Sequence, residues 1–269
     1  MATQPVSNLD ALAVSYARDG FLSPVPILSA EEAAAHRVEL EHVEQQLGVL
    51  HYKNKVHTIW PAAFALATHP RVLDVVESLL GPDILLHNTC YIIKEAETHA
   101  HVSWHQDLTH WGFDGGDQVS LWLAITPATA ESGCMRMVPG SHAGGQMHHD
   151  SVADTSNLLL RGQTVRDVAE NTARLCPLAP GEASFHHGWT LHASLPNHAK
   201  ARRIGLNAQY LTPSMRQTKH DTDSAILVRG CDRHRHFATE LPAIATLEAG
   251  AVSRWRAMDQ QYQDTQTTG

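Results

Sequence analysis

A chain of 269 residues with 43% hydrophobic and 18% charged side chains can form a packed core, carries too little charge to stay disordered, and suits one large domain. Its formal net charge of -8 argues against general nucleic-acid binding, and the basic cluster Arg233-His234-Arg235-His236 is too short to track phosphates. There is no run of about 18 apolar residues to span a membrane and no basic-then-apolar leader, and Cys90, Cys134, Cys176 and Cys231 lack CxxC spacing, so the expectation is a cytoplasmic protein with reduced thiols.

Residues 9–18 carry a short helical pattern ended by Gly20, and 21–28 read as a Pro-punctuated edge strand. Ser29-Ala30-Glu31-Glu32 has the form of a capping box. Ala33, Arg37, Leu40 and Leu47 then recur at helical spacing and predict an amphipathic helix over 30–47. The stretch 57–60 fits neither period. Pro70 opens another helix and Gly81-Pro82 ends it, with Val72, Val75, Val76, Leu79 and Leu80 on its buried side.

From Ile84 the texture changes. Residues 84–93 are too short and too rich in β-branched and aromatic side chains for a buried helix, and read as a strand. Residues 119–125 alternate, with Val119, Leu121, Leu123 and Ile125 on one face and Trp122 on the other. Further strands are predicted at 133–138, 175–178, 183–191 and 204–212. The polar, His-rich stretch 143–173 is expected as a loop or short helix over one mouth, and 247–261 as a helix. Helices followed by short strands with Gly and Pro turns predict an α+β, mainly β fold. Its β part suits a sandwich or a jelly roll, and the expected core is a double-stranded β-helix, jelly-roll or cupin-like, with flanking helices. The whole chain, 1–269, is expected to be one domain: a helical part to about 82, a core over about 84–212, and a C-terminal lid and helix over about 213–269.

The chemistry centres on Trp104-His105-Gln106-Asp107. On a strand, His105 and Asp107 leave the same face. One imidazole and one carboxylate are two thirds of the facial triad that holds ferrous iron and leaves the opposite positions open. With 20 His in the chain, H-x-D alone is a weak signal and needs a third ligand from a distant strand. The candidates are His186, His187 and His192. His192 stands out because Ser194 and Arg203 follow it and can point into the same mouth, where Arg203 offers a rigid fork for the far carboxylate of a dicarboxylate. Alternation puts one of His186 and His187 inside and one outside, and His187 stays as the alternative ligand. Arg203 can equally be a surface charge beside Lys200 and Arg202.

Taken together, Trp104-His105-Gln106-Asp107, Leu121-Trp122-Leu123-Ala124, Glu131-Ser132-Gly133-Cys134-Met135-Arg136, Pro139-Gly140-Ser141-His142 and His192-x-Ser194 with Asn197 and Arg203 resemble the phytanoyl-CoA dioxygenase family. These are Fe(II)- and 2-oxoglutarate-dependent oxygenases, and the bacterial members are mostly small-molecule hydroxylases. Tyr16-Ala17-Arg18-Asp19-Gly20-Phe21 and Leu28-Ser29-Ala30-Glu31-Glu32 are similar to the family's N-terminal pattern, so the likeness runs from about residue 14 to 240. The resemblance implies His105, Asp107 and His192 as iron ligands, and Arg203 with Ser194 for the distal carboxylate of 2-oxoglutarate. It also implies Asn88 as an amide donor to the co-substrate, Trp122 as a pocket wall and Trp111 as an aromatic of the site. Fe(II), 2-oxoglutarate and O2 are the cofactor and co-substrates. Halogenating relatives carry a small residue in place of the carboxylate, so Asp107 favours oxygen transfer.

The expected reaction is hydroxylation of a small polar metabolite with release of succinate and CO2; desaturation or ring chemistry can branch from the same site. Arg136, Arg216, His220 and Arg229 are candidate contacts to an anionic substrate, though each also reads as solvated surface charge. A zinc-dependent hydrolase and a non-catalytic ligand-binding relative are the readings from other classes. The expected partners are a small-molecule substrate, no nucleic acid and no membrane, with the oligomeric state open between monomer and homodimer.

Overall fold

The computed structural model describes residues 8–159 and 161–267. Asn8 caps α1 (Leu9–Asp19), its side chain accepting from the Ala11 N–H at 3.3 Å. After β1 (Phe21–Pro26) the capping box forms as expected at the start of α2 (Ala30–Leu47). The Glu32 N–H donates to Ser29 Oγ at 3.1 Å and the Ser29 N–H donates to Glu32 Oε2 at 2.8 Å. Proline opens both α3 (Pro61–Ala67) and α4 (Pro70–Leu80), where its missing N–H costs nothing. The remaining elements are β2 (Ile84–Lys94), β3 (Val102–His105), α5 (Leu108–Trp111), β4 (Gln118–Ala124), β5 (Met135–Met137), β6 (Asp150–Ser151), β7 (Gln163–Thr164), β8 (Arg174–Cys176), β9 (Glu182–His187), β10 (His192–Ser194), β11 (Arg203–Leu211), β12 (Ser224–Arg229), β13 (Ala238–Thr239) and α6 (Ala249–Thr267). None of the helices among the described residues is long and apolar enough to cross a membrane.

Two sheets make the jelly roll. The larger has the order β1-β9-β4-β11-β2-β12-β13, the smaller β3-β10-β5-β8, and β6 pairs only with β7. Strand alternation gives the larger sheet two different faces. On β11, Ile204, Leu206, Ala208 and Tyr210 join one core cluster with Leu40 of α2, Ala63 of α3 and Val72 and Val76 of α4. Burying each large apolar side chain there is worth about 1.5–3 kcal/mol, which holds the N-terminal helices to the outside of this sheet. Arg203, Asn207 and Gln209 point the other way, between the sheets, and line a cleft. Gly205 lies among them because Trp122 packs against it: a Cβ there would come within 2.1 Å of the indole ring. Trp122 also packs with Met135, Met137 and Cys176 of the smaller sheet in a separate core cluster.

Several expectations change. The predicted strand 183–191 ends early, and residues 188–191 turn the chain. β9 ends at His187, and after a turn β10 starts in the other sheet. At that turn Gly188 lets α5 pack closely, since a Cβ would meet Leu108 Cγ at 2.3 Å. The core does not end near 212, because β12 joins the larger sheet with Ile226 opposite Leu86. Its short apolar run between Asp223 and Gly230 shows no alternation that would mark it. Stretch 57–60 leads into α3. The 143–173 stretch is mostly loop with a short 3-10 helix at Glu170–Thr172, as expected, and adds the small β6-β7 pair. α6 runs to Thr267, not 261, and so buries Tyr262.

A buried ionic network ties the segment after α2 to the C-terminal part. Glu240 Oε1 meets Lys55 Nζ at 2.7 Å and the Ser224 hydroxyl at 2.6 Å, while its Oε2 meets His57 Nε2 at 2.8 Å. Burial pushes the Glu240 carboxyl up, but Lys55 and His57 outweigh it and hold it below the usual carboxylate range. A depressed carboxylate contributes stability above its unfolded value, about pH 4.3, and loses that contribution as pH falls toward the folded value. Glu240→Gln leaves Lys55 buried without its ion-pair partner. The expected cost at pH 7 is about 3–5 kcal/mol by denaturant unfolding, shrinking as the pH drops below about 4; a loss within about 0.5 kcal/mol at pH 7 would count against it.

Candidate active site

β10 runs antiparallel to β3 with His192 opposite His105, which brings the two ring centroids to 4.1 Å. β3 ends at His105, and Asp107 stands in the αR region just before α5. The carboxylate therefore meets His105 through a turn and not through strand alternation as expected. Asp107 Oδ1 lies 3.4 Å from His105 Nε2 and 3.7 Å from His192 Nε2. Among the described residues these three form the His/Cys/Asp/Glu group whose ligand atoms all fall within 4.8 Å of one another.

The surroundings prepare each group. The Nδ1 atoms of His105 and His192 lie 2.9 Å from the Ser103 and Thr190 carbonyls, so each Nδ1–H donates there and Nε2 keeps its lone pair for a metal. Burial, then His105, holds His192 well below its ordinary value, which keeps it neutral. Burial pushes the Asp107 carboxyl up, but the surrounding imidazoles, His192 first, outweigh it and hold it well below the usual range. Asp107 Oδ2 is occupied: it accepts from the Ser120 hydroxyl at 2.8 Å and from His186 Nε2 at 3.1 Å. Oδ1 is the oxygen that faces the His105 and His192 imidazoles. Two neutral imidazoles and one carboxylate with its second oxygen tied back fit a ferrous ion held on one face.

A cleft opens beside this group, lined by residues of both sheets and of α6. At its inner end Arg203 is 1% exposed and is lowered by burial to about 10. One Nη donates to the Gly133 carbonyl, the guanidinium lies 4.9 Å over the Trp122 ring, and Nε has no partner. No carboxylate among the described residues pairs with it. Ser194, Trp122, Trp111 and Asn88 also line the cleft. The Asn88 amide is engaged on both sides: it accepts from the Lys55 N–H at 2.8 Å and donates to Asn54 at 3.1 Å.

Other candidates lie elsewhere. His187 is on the outer side, its ring 5.5 Å from His142 and 6.4 Å from Tyr16, because alternation on β9 turns only His186 inward. Arg136 pairs with Glu170 at 2.8 Å and Arg229 with Asp74 at 2.6 Å. Arg216 sits 3.3 Å from His236 at the surface. None of these three lines the cleft. His220 faces a smaller adjoining pocket, bonded to Thr265 at 2.9 Å. The sequence reading passed over Ser120, Lys94, Gln209, Tyr262 and Gln266. Ser120 was readable, since it shares the inward period of Trp122. Tyr262 and Gln266 were not, because they lie past the predicted end of their helix.

Residues 16–205 match the phytanoyl-CoA dioxygenase (PhyH) family. The chain belongs to that family. Phytanoyl-CoA dioxygenase family members bind iron and use 2-oxoglutarate with O2, and this chain is accordingly a 2-oxoglutarate-dependent non-haem iron dioxygenase. It is similar to the non-heme monooxygenase ThoJ, with 32% identity, a TM-score of 0.83 and coverage of 94% of this chain and 96% of that one. It is 28% identical over 192 residues to a probable alpha-ketoglutarate-dependent hypophosphite dioxygenase of Stutzerimonas stutzeri, covering 69% of this chain and 67% of that protein. Against the peroxisomal phytanoyl-CoA dioxygenase of Homo sapiens it is 28% identical over 152 residues, and the match spans 45% of that protein's length.

Proposed function

We propose that this phytanoyl-CoA dioxygenase family member hydroxylates an unactivated C–H bond of a small, uncharged polar metabolite. The observation that carries the reading is the pairing in one cleft of the His105, Asp107 and His192 group with Arg203, a buried guanidinium that lacks an acid. His105 Nε2, Asp107 Oδ1 and His192 Nε2 would hold the iron. Arg203, with Ser194 beside it and Trp122 beneath it, would bind the far carboxylate of 2-oxoglutarate. With iron and 2-oxoglutarate bound, the chemistry supplied is oxidative decarboxylation to succinate and CO2 coupled to oxidation of a substrate C–H. Ser120 and His186 keep Asp107 to a single ligating oxygen and so keep the opposite face open. Trp111 and Tyr262 wall the cleft against water. A zinc hydrolase has no use for a buried guanidinium aimed at a carboxylate, which favours the iron reading.

Charge accounting supports an uncharged substrate. Apart from Asp107 and Arg203 the lining has no acid, no lysine and no other arginine. His110 is pushed down to about 4 by burial and is neutral at pH 7. The lining also offers hydrogen-bonding but neutral groups: Gln163, Gln209, Gln266, Tyr52 and Tyr262. A charged substrate group would be desolvated there without a partner.

Anaerobic protein given Fe(II) and 2-oxoglutarate is expected to show a weak visible charge-transfer band. A panel of neutral amides and alcohols, run beside matched carboxylates, is expected to raise succinate above the substrate-free rate and yield a product heavier by one oxygen. Absence of both band and succinate overturns the assignment. Stimulation by the carboxylates alone overturns the uncharged substrate, and a product lighter by two hydrogens replaces hydroxylation with desaturation.

A further inference from the structure

Lys94 ends β2 directly opposite Arg203 in the register with β11, and it is 1% exposed. No carboxylate pairs with it among the described residues. Its Nζ instead donates to Ser194 Oγ at 2.7 Å, to the Ser194 carbonyl at 3.3 Å and to the Leu195 carbonyl. As an ammonium, Nζ has a proton for each of these three oxygens. Ser194 lines the cleft and Lys94 does not, so the lysine stands behind the serine. A hydroxyl that accepts from an ammonium keeps its own proton to donate. No oxygen or nitrogen among the described residues takes that proton, and the free side of Ser194 Oγ is the cleft.

We infer that Lys94 is a positioning residue for the co-substrate: it turns the Ser194 hydroxyl proton into the cleft and sets a second buried positive charge behind Arg203, so that this end selects an oxo acid carrying a far carboxylate. The inference rests on the reading of Arg203 as the co-substrate anchor. Burial and the adjacent guanidinium push Lys94 down to about 6, as two buried cations without an anion require. A carboxylate arriving at Arg203 offsets that penalty and favours the ammonium that orients Ser194. Asn197 secures the backbone around this lysine, its amide donating to the Lys94 and Glu95 carbonyls at 3.3 and 2.8 Å.

A lysine that merely braced β10 would, once removed, weaken every ligand alike or only lower the melting temperature. The test is an anaerobic titration of the Fe(II)-loaded protein, following the charge-transfer band, with 2-oxoglutarate and separately with 2-oxobutyrate, which chelates alike but has no far carboxylate. For Lys94→Met, 2-oxoglutarate affinity is expected to fall about 10- to 100-fold and 2-oxobutyrate affinity to change by less than about twofold. Ser194→Ala, which leaves Lys94 its two carbonyls, should show the same selective loss and serves if Lys94→Met does not fold. The double variant should bind no more weakly than Lys94→Met alone. Equal weakening of both oxo acids, or of neither, overturns the inference. A wild-type protein that forms no band overturns the site reading beneath it.

Discussion

Asp107→Ala is expected to lower succinate formation by about three orders of magnitude, ~4 kcal/mol of transition-state stabilisation, and to abolish the charge-transfer band with 2-oxoglutarate. The carboxylate is the one anion in the cleft lining, and its Oδ1 stands within 3.7 Å of both imidazole nitrogens. Without it only two imidazoles remain, and they hold a divalent ion on one face far more weakly. The loss should be in metal binding and not in folding. The carboxylate is desolvated, and what its removal leaves unmet are one Ser120 hydroxyl and the His186 Nε2–H that now bond Oδ2. Metal analysis after dialysis should therefore find the variant depleted of iron while its metal-free melting temperature stays close to that of the parent. A variant that keeps both its iron and more than about a tenth of the activity would remove Asp107 from the ligand set.

Arg203→Met is expected to split stability from binding. In the free protein Arg203 is a buried cation with one backbone carbonyl, an indole face and no acid. Such a charge is costly until an anion arrives. Methionine fills similar space without it, so the metal-free variant should melt at the same temperature or a few degrees higher, about 2–4 °C for each kcal/mol gained at this chain length. The KM for 2-oxoglutarate should rise about 100- to 1000-fold, matching the ~3–5 kcal/mol expected when one member of a buried pair is removed. The wild-type melting temperature should climb with added 2-oxoglutarate and Fe(II) by linkage, and that of the variant should not. Unchanged KM with a lower melting temperature would make Arg203 a structural residue.

These two predictions draw on residues of unequal legibility. His105 and Asp107 stood in plain view, because a short motif is local. Arg203 was visible as a residue but ambiguous as a site, since Lys200 and Arg202 beside it are surface-type charges and only its position at the start of β11 turns it inward. Arg136 and Arg229 show the converse. Both looked available to an anion, and both already have one, in Glu170 and in Asp74, held far from them in the chain.

The sequence by itself determined the local features. The capping box at Ser29 and Glu32, the proline start of α4, and the alternation of β4 are read over a few residues, because backbone hydrogen bonding and side-chain direction are set over one turn or one pleat. Alternation even foretold that Leu121 and Trp122 face opposite ways. Only the tertiary structure decided which sheet each strand enters. The turn at Gly188 carries the chain from the larger sheet to the smaller, and it is this change of sheet that brings His192, and not His187, beside His105. The same long-range packing placed Lys94 behind Ser194, drew Ser120 and His186 onto Asp107, and folded α6 over the cleft. Those contacts join residues tens to hundreds of positions apart, and a pattern with a period of two or of 3.6 residues carries no record of them.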